Sequence, residues 1–382
     1  MAFSSSGANV PPGEAGGILT IDLGAITVNW RDLAGRAASA ECGAVIKADA
    51  YGCGIEPVAR ALTAAGCRTF FVAHLVEARR ARAAAPDAAI YVLNGLLPGS
   101  APTYAECGLQ PVLGSLDEIA EWQAFKTNGW SGGAALHIDT GMNRLGLRPR
   151  DAVALAKRND LKEVGLNLLM SHFACADEPA HPLNAKQMGD FKEIAALYPD
   201  LRASLANSSG VFLDPDAHFD LMRPGVALYG ANPTPGHANP MRPVVKLEGC
   251  VIQVRSVSPQ ETVGYGATWT ARQTARIAVV SIGYADGFLR AAGGSDVRGG
   301  AEAIVAGHRC PIAGRVSMDL IAVDVTAVPD GAVKRGSLVA FLDETITVDD
   351  LAAHAGTIGY EILTSLGRRY HRIYKDGVES AS

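Results

Sequence analysis

No Cys-x-x-Cys pair occurs in this 382-residue chain, and its seven cysteines are scattered and odd in number. That spacing gives no disulfide framework and no zinc site. There is no cluster of Lys or Arg either, and 34 basic residues face 39 acidic ones for a net charge of −5. Nothing in that balance neutralises a nucleic-acid backbone or docks on an anionic membrane, so the expected partner is a small molecule. No apolar run approaches the roughly 20 residues needed to span a bilayer. Residues 1–16 lack the basic start and apolar core of a secretory signal. Being small, polar and rich in Pro and Gly, they read as a disordered tail, and the chain reads as cytoplasmic. Charge is sparse at 19% against 48% apolar residues, which describes a well-buried globular protein. Its length exceeds that of one ordinary core, so two domains are expected, with one large barrel as the alternative.

What is present is an alternation. Short apolar or β-branched runs at 43–47, 68–73, 89–94, 109–113, 134–139, 165–172, 202–206 and 226–230 are separated by stretches such as 55–65 and 117–125 with helical apolar spacing. Eight such repeats predict an N-terminal (β/α)8 TIM-like barrel over 17–244, with a doubly wound open sheet as the other reading. Beyond about residue 244 the strand-like runs 244–254, 275–282 and 320–325 are broken by Gly, Pro and Asp turns, and convincing helices are few before Val348. This predicts a second, mainly β domain over 245–382.

In a barrel, reactive groups project from the carboxyl ends of the strands. Lys47 ends the first predicted strand, in Ala44-Val45-Ile46-Lys47-Ala48-Asp49-Ala50-Tyr51-Gly52; His172 ends the sixth; Asn207 and Ser208 follow the seventh; Arg144 lies just past the fifth. Each has a plain structural reading as well. A strand-end lysine can snorkel to water, but in an apolar setting its neutral amine is free to attack a carbonyl. His172 can be a satisfied core histidine. Ser208 can be an N-cap, or part of a phosphate cradle with the glycine that follows it. In Arg223-Pro224-Gly225-Val226, a turn explains Pro224 and Gly225 but not Arg223. Two further motifs, around Tyr265 in Gly264-Tyr265-Gly266 and Tyr284 in Gly283-Tyr284-Ala285-Asp286-Gly287, read from spacing as hairpin turns with packed aromatics.

From about residue 18 to 376 the chain resembles the alanine racemases. The string Ala44 to Gly52 is similar to that family's cofactor-lysine motif. Asp139 to Gly146, Asn207 to Gly210, Arg223 to Gly230, the two tyrosine motifs, Gly314 to Asp319 and Gly359-Tyr360-Glu361 follow in matching order and spacing. The resemblance implies an amino acid racemase that interconverts L- and D-alanine with pyridoxal 5'-phosphate, supplying D-alanine for peptidoglycan. It implies that Lys47 holds the cofactor and acts as one base, with Tyr265 as the other. Arg144 and the Met318 N–H bind the substrate carboxylate, and Tyr284 lines the substrate pocket. Tyr51, Ser208, Gly225, Val226 and Tyr360 hold the phosphate, with Asn207 beside it. Arg223 faces the pyridine nitrogen, and His172 links Arg223 to Tyr265.

One position departs from the family pattern. Seven residues before Arg144 many members carry a lysine, often as a carbamate, and here stands His137. The resemblance, together with a barrel face that needs covering, further implies a homodimer whose sites each combine Lys47 of one subunit with Tyr265 of the other. The competing readings are four, the remotest being a non-enzymatic barrel that binds no cofactor. A non-catalytic pyridoxal-phosphate homeostasis protein needs no second domain. A decarboxylase of the same fold type usually sets an acid where Arg223 stands. A broader amino acid racemase is often exported.

Overall fold

Runs such as Thr69-Phe70-Phe71-Val72 are too short and too β-branched or aromatic for a helix, and they are buried at every position. Strands covered on both faces read that way. The computed structural model describes residues 9–376 apart from 38, 127–128, 131 and 159, and the chain divides into two compact units. One comprises residues 26–242; the other joins the residues up to 25 with those from 243 onward.

In the first unit a parallel sheet runs from Ala44–Val45 through Thr69–Val72, Ala89–Val92, Gln110–Leu113, Ala134–His137 and Leu166–Met170 to Arg202–Ser204. An open sheet would stop there with two free edges. Instead Leu221–Met222 sits between the ends. It takes Asp220 N–H to Ala203 O (3.0 Å) and Arg223 N–H to Ala206 O (2.9 Å) on one side. On the other side Gly43 N–H reaches Met222 O and Val45 N–H reaches Pro224 O, both at 2.9 Å. The eight strands therefore close on themselves, which removes the edges. The eighth strand is not 226–230, as its apolar composition suggested, but Leu221–Met222. Pro224 has no N–H to extend the ladder, and Val226–Tyr229 coils into a buried 3-10 turn instead. Helices follow the first six strands, among them Ile55–Ala65, Leu75–Ala84, Leu116–Lys126 and Pro182–Ala195, whereas 3-10 turns follow the seventh.

The second unit is built on Val245–Val257, a long strand flanked by Gly17–Asp22, Leu338–Leu342 and Ala275–Val280. Ala275–Val280 carries Ile321–Asp324 on its other side, and the helices Val348–Ala355 and Gly359–Ser365 follow. The expected boundary placed residue 17 in the barrel; here Gly17–Asp22 pairs antiparallel with Val245–Val257 and parallel with His371–Lys375. Strand pairing depends on register and side-chain pattern, not on nearness in sequence. Residues 1–8 of the expected tail lie outside the described residues. Residues 9–16 are tied down, with Arg372 N–H donating to Asn9 Oδ1 (2.8 Å) and Cys250 N–H to Gly16 O (2.9 Å). Among the described residues no helix is long and apolar enough to cross a membrane.

Candidate active site

Lys47 leaves the first barrel strand directly into a turn of the opposite hand. Ala48, Asp49 and Ala50 have φ/ψ of 53/48, 55/46 and 54/52, and Tyr51 has φ 52, which together make a turn of left-handed helix. For L-residues this costs about 1–2 kcal/mol each, so surrounding contacts must hold it. Within the turn Ala50 N–H bonds Ile46 O (3.0 Å) and Gly52 N–H bonds Ala48 O (2.9 Å). From outside, Glu77 accepts the Ala48 N–H at 2.6 Å. Arg80 pairs with Asp49 at 2.6 Å while gripping Glu56 through two bonds of 2.6 Å. Lys47 itself is partly buried. Burial, and then the charge of Arg144, pull its amine below the ordinary lysine range, with Glu77 opposing. A neutral, reactive amine is correspondingly more available.

Beside it lies a buried polar network. Arg223 is almost fully enclosed and donates to Ser204 Oγ, Ser171 O, Leu205 O and, at 3.4 Å, His172 Nδ1. Among the described residues no carboxylate pairs with it. Burial lowers its pKa to about 9, which still leaves a cation at neutral pH. An enclosed cation bonded only to neutral groups suits a ligand that brings an acceptor. Burial, then Arg223 and Arg144, hold the His172 pKa well below its usual value, so the ring is neutral. Accepting from Arg223 at Nδ1, it carries its proton on Nε2. His137 is likewise neutral, its pKa pushed down to about 4 by burial and then Arg223. Arg144 stands exposed on the loop after the fifth strand, a loop pinned by the Gly141 and Asn143 N–H bonds to Asp139 Oδ1 (both 3.0 Å). Beneath, Gln187 joins the fifth and sixth strand ends, donating to Thr140 Oγ1 (3.2 Å) and His172 O (2.9 Å) and accepting from Ala174 N–H (2.9 Å).

The third side of the rim has the form of an anion cradle. Ser208 caps no α-helix: its buried Oγ accepts from Gly225 N–H (2.8 Å) and Ala227 N–H (3.3 Å), which leaves its O–H to be donated. Asn207 Oδ1 accepts from Gly210 N–H at 2.8 Å and fixes the turn. A Cβ at Gly225 would stand 2.4 Å from the Tyr51 hydroxyl, so only glycine admits that close approach. Tyr51 stacks on Tyr229 at 4.6 Å, and Tyr229 donates to Val45 O at 3.0 Å, which locks the cradle to the strand that carries Lys47.

The remaining candidates belong to the second unit. Tyr265 and Tyr284 open 3-10 turns. The first lies in a hairpin between Thr262–Val263 and Trp269–Thr270, as spacing suggested, whereas the second joins no pair of hairpin strands among the described residues. Against expectation Tyr265 is 71% exposed, and Tyr284, like Met318 and Tyr360, is exposed too. Tyr284 N–H bonds Ser317 O (3.0 Å) and Ala285 N–H bonds Met318 O (2.9 Å), so the two loops are one assembly. Asp286, buried, anchors it by accepting from Gly283 N–H (2.8 Å) and pairing with Arg369 (2.9 Å), which also holds Asp319 (2.9 Å).

Sequence reading found the strand-end groups and missed their supports, Glu77, Gln187, Ser171, Ser204, Asp286 and Arg369. Of these Glu77 and Asp286 left a trace, each standing three residues after an N-cap position where a capping-box acid belongs, Asp286 inside the Tyr284 motif itself.

Comparison with known proteins agrees over nearly the whole chain. The family model described as alanine racemase, N-terminal domain, matches residues 21–233, and that of the C-terminal domain matches 244–374. An alanine racemase of Methylobacterium sp. (strain 4-46) is 55% identical over 362 residues, covering 94% of this chain and 98% of that protein. A biosynthetic alanine racemase of Agrobacterium fabrum is 44% identical, covering 93% of each. The crystal structure of alanine racemase from Bartonella henselae with covalently bound pyridoxal phosphate matches with a TM-score of 0.89 at 40% identity, covering 94% of this chain and 100% of that one.

Proposed function

The chain belongs to the alanine racemase family, and from that premise we propose that it interconverts L-alanine and D-alanine in the cytoplasm with pyridoxal 5'-phosphate, supplying D-alanine for peptidoglycan. The observation that carries this reading is the Lys47 amine, held at a strand end, below its ordinary pKa, among Arg144, Arg223 and His172. The residues present fit the cofactor. Lys47 would hold it covalently. Tyr51, Ser208, Gly225, Val226 and Tyr360 would bind its phosphate with Asn207 steadying the turn, and Arg223 would serve the pyridine nitrogen. The tight glycine cradle and the ionically unpaired Arg223 support that assignment. When bound, the cofactor takes up the electron pair left as the α-proton departs.

Inversion at a carbon needs one group on each face. Lys47 serves one face and Tyr265 the other, while Arg144 and the Met318 N–H clamp the substrate carboxylate and Tyr284 shapes the pocket. A tyrosine with a pKa near ~10 is a weak base at neutral pH, so it depends on a cation, and His172 gives it that link to Arg223. Arg223, a far weaker acid than a carboxylic acid, would hydrogen-bond the pyridine nitrogen without giving it a proton, which would restrain side reactions such as transamination. The working unit is a homodimer that shares its sites. Exposed Val76, Leu97, Leu116 and Leu145 near the ends of the second to fifth strands give the barrel rim an apolar edge suited to a cover.

The test is to incubate the purified protein with single L-amino acids and assay each for its D-enantiomer, with borohydride reduction and peptide mapping in parallel. Alanine should be turned over far faster than the others, and the label should fall on Lys47. Label on another lysine sinks the site assignment; equal rates for many amino acids make it a broad racemase.

A further inference from the structure

The left-handed turn after Lys47 is held from outside by the helix Leu75–Ala84, through Arg80 on Asp49 and, at the Lys47 end, through Glu77. Glu77, in the first turn of Leu75–Ala84, receives three backbone N–H groups: Ala48 at Oε1 (2.6 Å), and Ala73 (2.8 Å) and His74 (3.1 Å) at Oε2. Ala48 follows Lys47 at the end of the first strand, and Ala73 and His74 follow the second. One carboxylate thus ties two neighbouring strand ends to the peptide bond that joins Lys47 to Ala48. We propose that Glu77 is a positioning residue for the racemase reaction: by clamping the Ala48 N–H it fixes the course of the backbone at Lys47 and so where the amine is delivered. The inference rests on the reading of Lys47 as the cofactor lysine.

The three bonds are of a charge-assisted kind, which is stronger than a neutral bond and needs both oxygens as acceptors. Glutamine satisfies only one side and turns an N–H₂ donor toward a backbone donor on the other. The bonds to Ala48 and His74 lie at the surface, where water can replace the lost acceptor, so the barrel survives the change. What is lost is the fixed direction of the turn and the negative charge beside the amine. Charged and titratable groups around Lys47 include Arg144, Arg223, His172 and Glu77, and of these Glu77 is the one that favours the protonated amine. Without it the amine titrates at lower pH.

The experiment uses Glu77→Ala and Glu77→Gln, with Glu121→Ala as a control that removes a comparable carboxylate from the Gly99 N–H (2.8 Å). Apoprotein is mixed with pyridoxal phosphate across a pH series, and the rate of covalent attachment is followed by absorbance, with borohydride mapping of the product. Expected for both Glu77 variants, at unchanged circular dichroism, are attachment at least about tenfold slower at its optimum and a midpoint displaced to lower pH. The reconstituted enzymes should lose kcat about tenfold with KM for alanine within threefold, while Glu121→Ala matches the parent. Label on Lys47 with a parental rate and midpoint in both variants overturns the role of Glu77 alone. Label elsewhere in the parent protein overturns the reading of Lys47 and this inference with it.

Discussion

A histidine and a carbamylated lysine differ in the sign of what they offer an arginine. His137, neutral with its pKa pushed down to about 4, is no anion at any working pH, so Arg144 takes no charge support from it. Activity is therefore expected to be insensitive to added bicarbonate, while Arg144→Ala should raise KM and lower kcat, each by tenfold or more. A strong bicarbonate requirement, in steady-state assays with degassed buffer, would show that some lysine has taken the missing role. The same histidine has a consequence for stability. Its unfolded pKa is near 6.5 and its folded pKa about 4, so the unfolded chain binds the extra proton between those values. Stability should be fully present above pH 6.5 and decline toward pH 4, with His172 contributing in the same direction. Denaturant titrations of the parent and His137→Gln across that range should show a shallower decline in the variant. Residues at this scale were legible where chemistry and position coincide, as for Lys47 or Arg144. Gln187 and Ser204 were not, since a neutral side chain acquires its role only from partners brought together by folding.

Elements were legible in proportion to their periodicity. Ile55–Ala65 is the helix its spacing predicts, and Leu116–Lys126 extends the expected one by a residue at each end. The eighth strand failed as a reading because Val226-Ala227-Leu228-Tyr229 is apolar for a different reason: it is a turn packed inside. No pattern of hydrophobicity announces the left-handed turn at Ala48 to Tyr51, since alanine favours the opposite hand. That gives an unusual expectation for glycine. Replacing exposed Ala48 relieves about 1–2 kcal/mol of strain and costs about 0.4–1 kcal/mol through the freer unfolded chain. Ala48→Gly should hold or gain stability, by up to about 1.6 kcal/mol. Ala61→Gly, within the ordinary helix Ile55–Ala65, should lose about 0.5–1 kcal/mol. Thermal unfolding of both decides it; similar losses at the two sites would mean the turn is not strained.

For the whole molecule, the proposed shared site has a consequence in mixtures. Lys47→Ala and Tyr265→Ala proteins are each expected to be inactive, yet a mixed dimer has one doubly altered site and one intact site. Random exchange makes about half the dimers mixed, so about a quarter of parental activity should return. Demonstrated exchange with no recovery would place both residues in the same subunit's site. The two-unit plan was legible as a change of texture near residue 244, but the membership of Gly17–Asp22 was not. That strand's partners, Val245–Val257 and His371–Lys375, are both made only after the whole barrel sequence. On a ribosome adding residues at the usual pace, Gly17–Asp22 emerges roughly 10–45 s before the first of them exists. During that interval the barrel, residues 26–242, can complete itself, while an apolar strand waits with both ladder edges bare. The nascent chain is thus most open to mispairing at its front end, and the gain from a chaperone held there should vanish once the last strand is released.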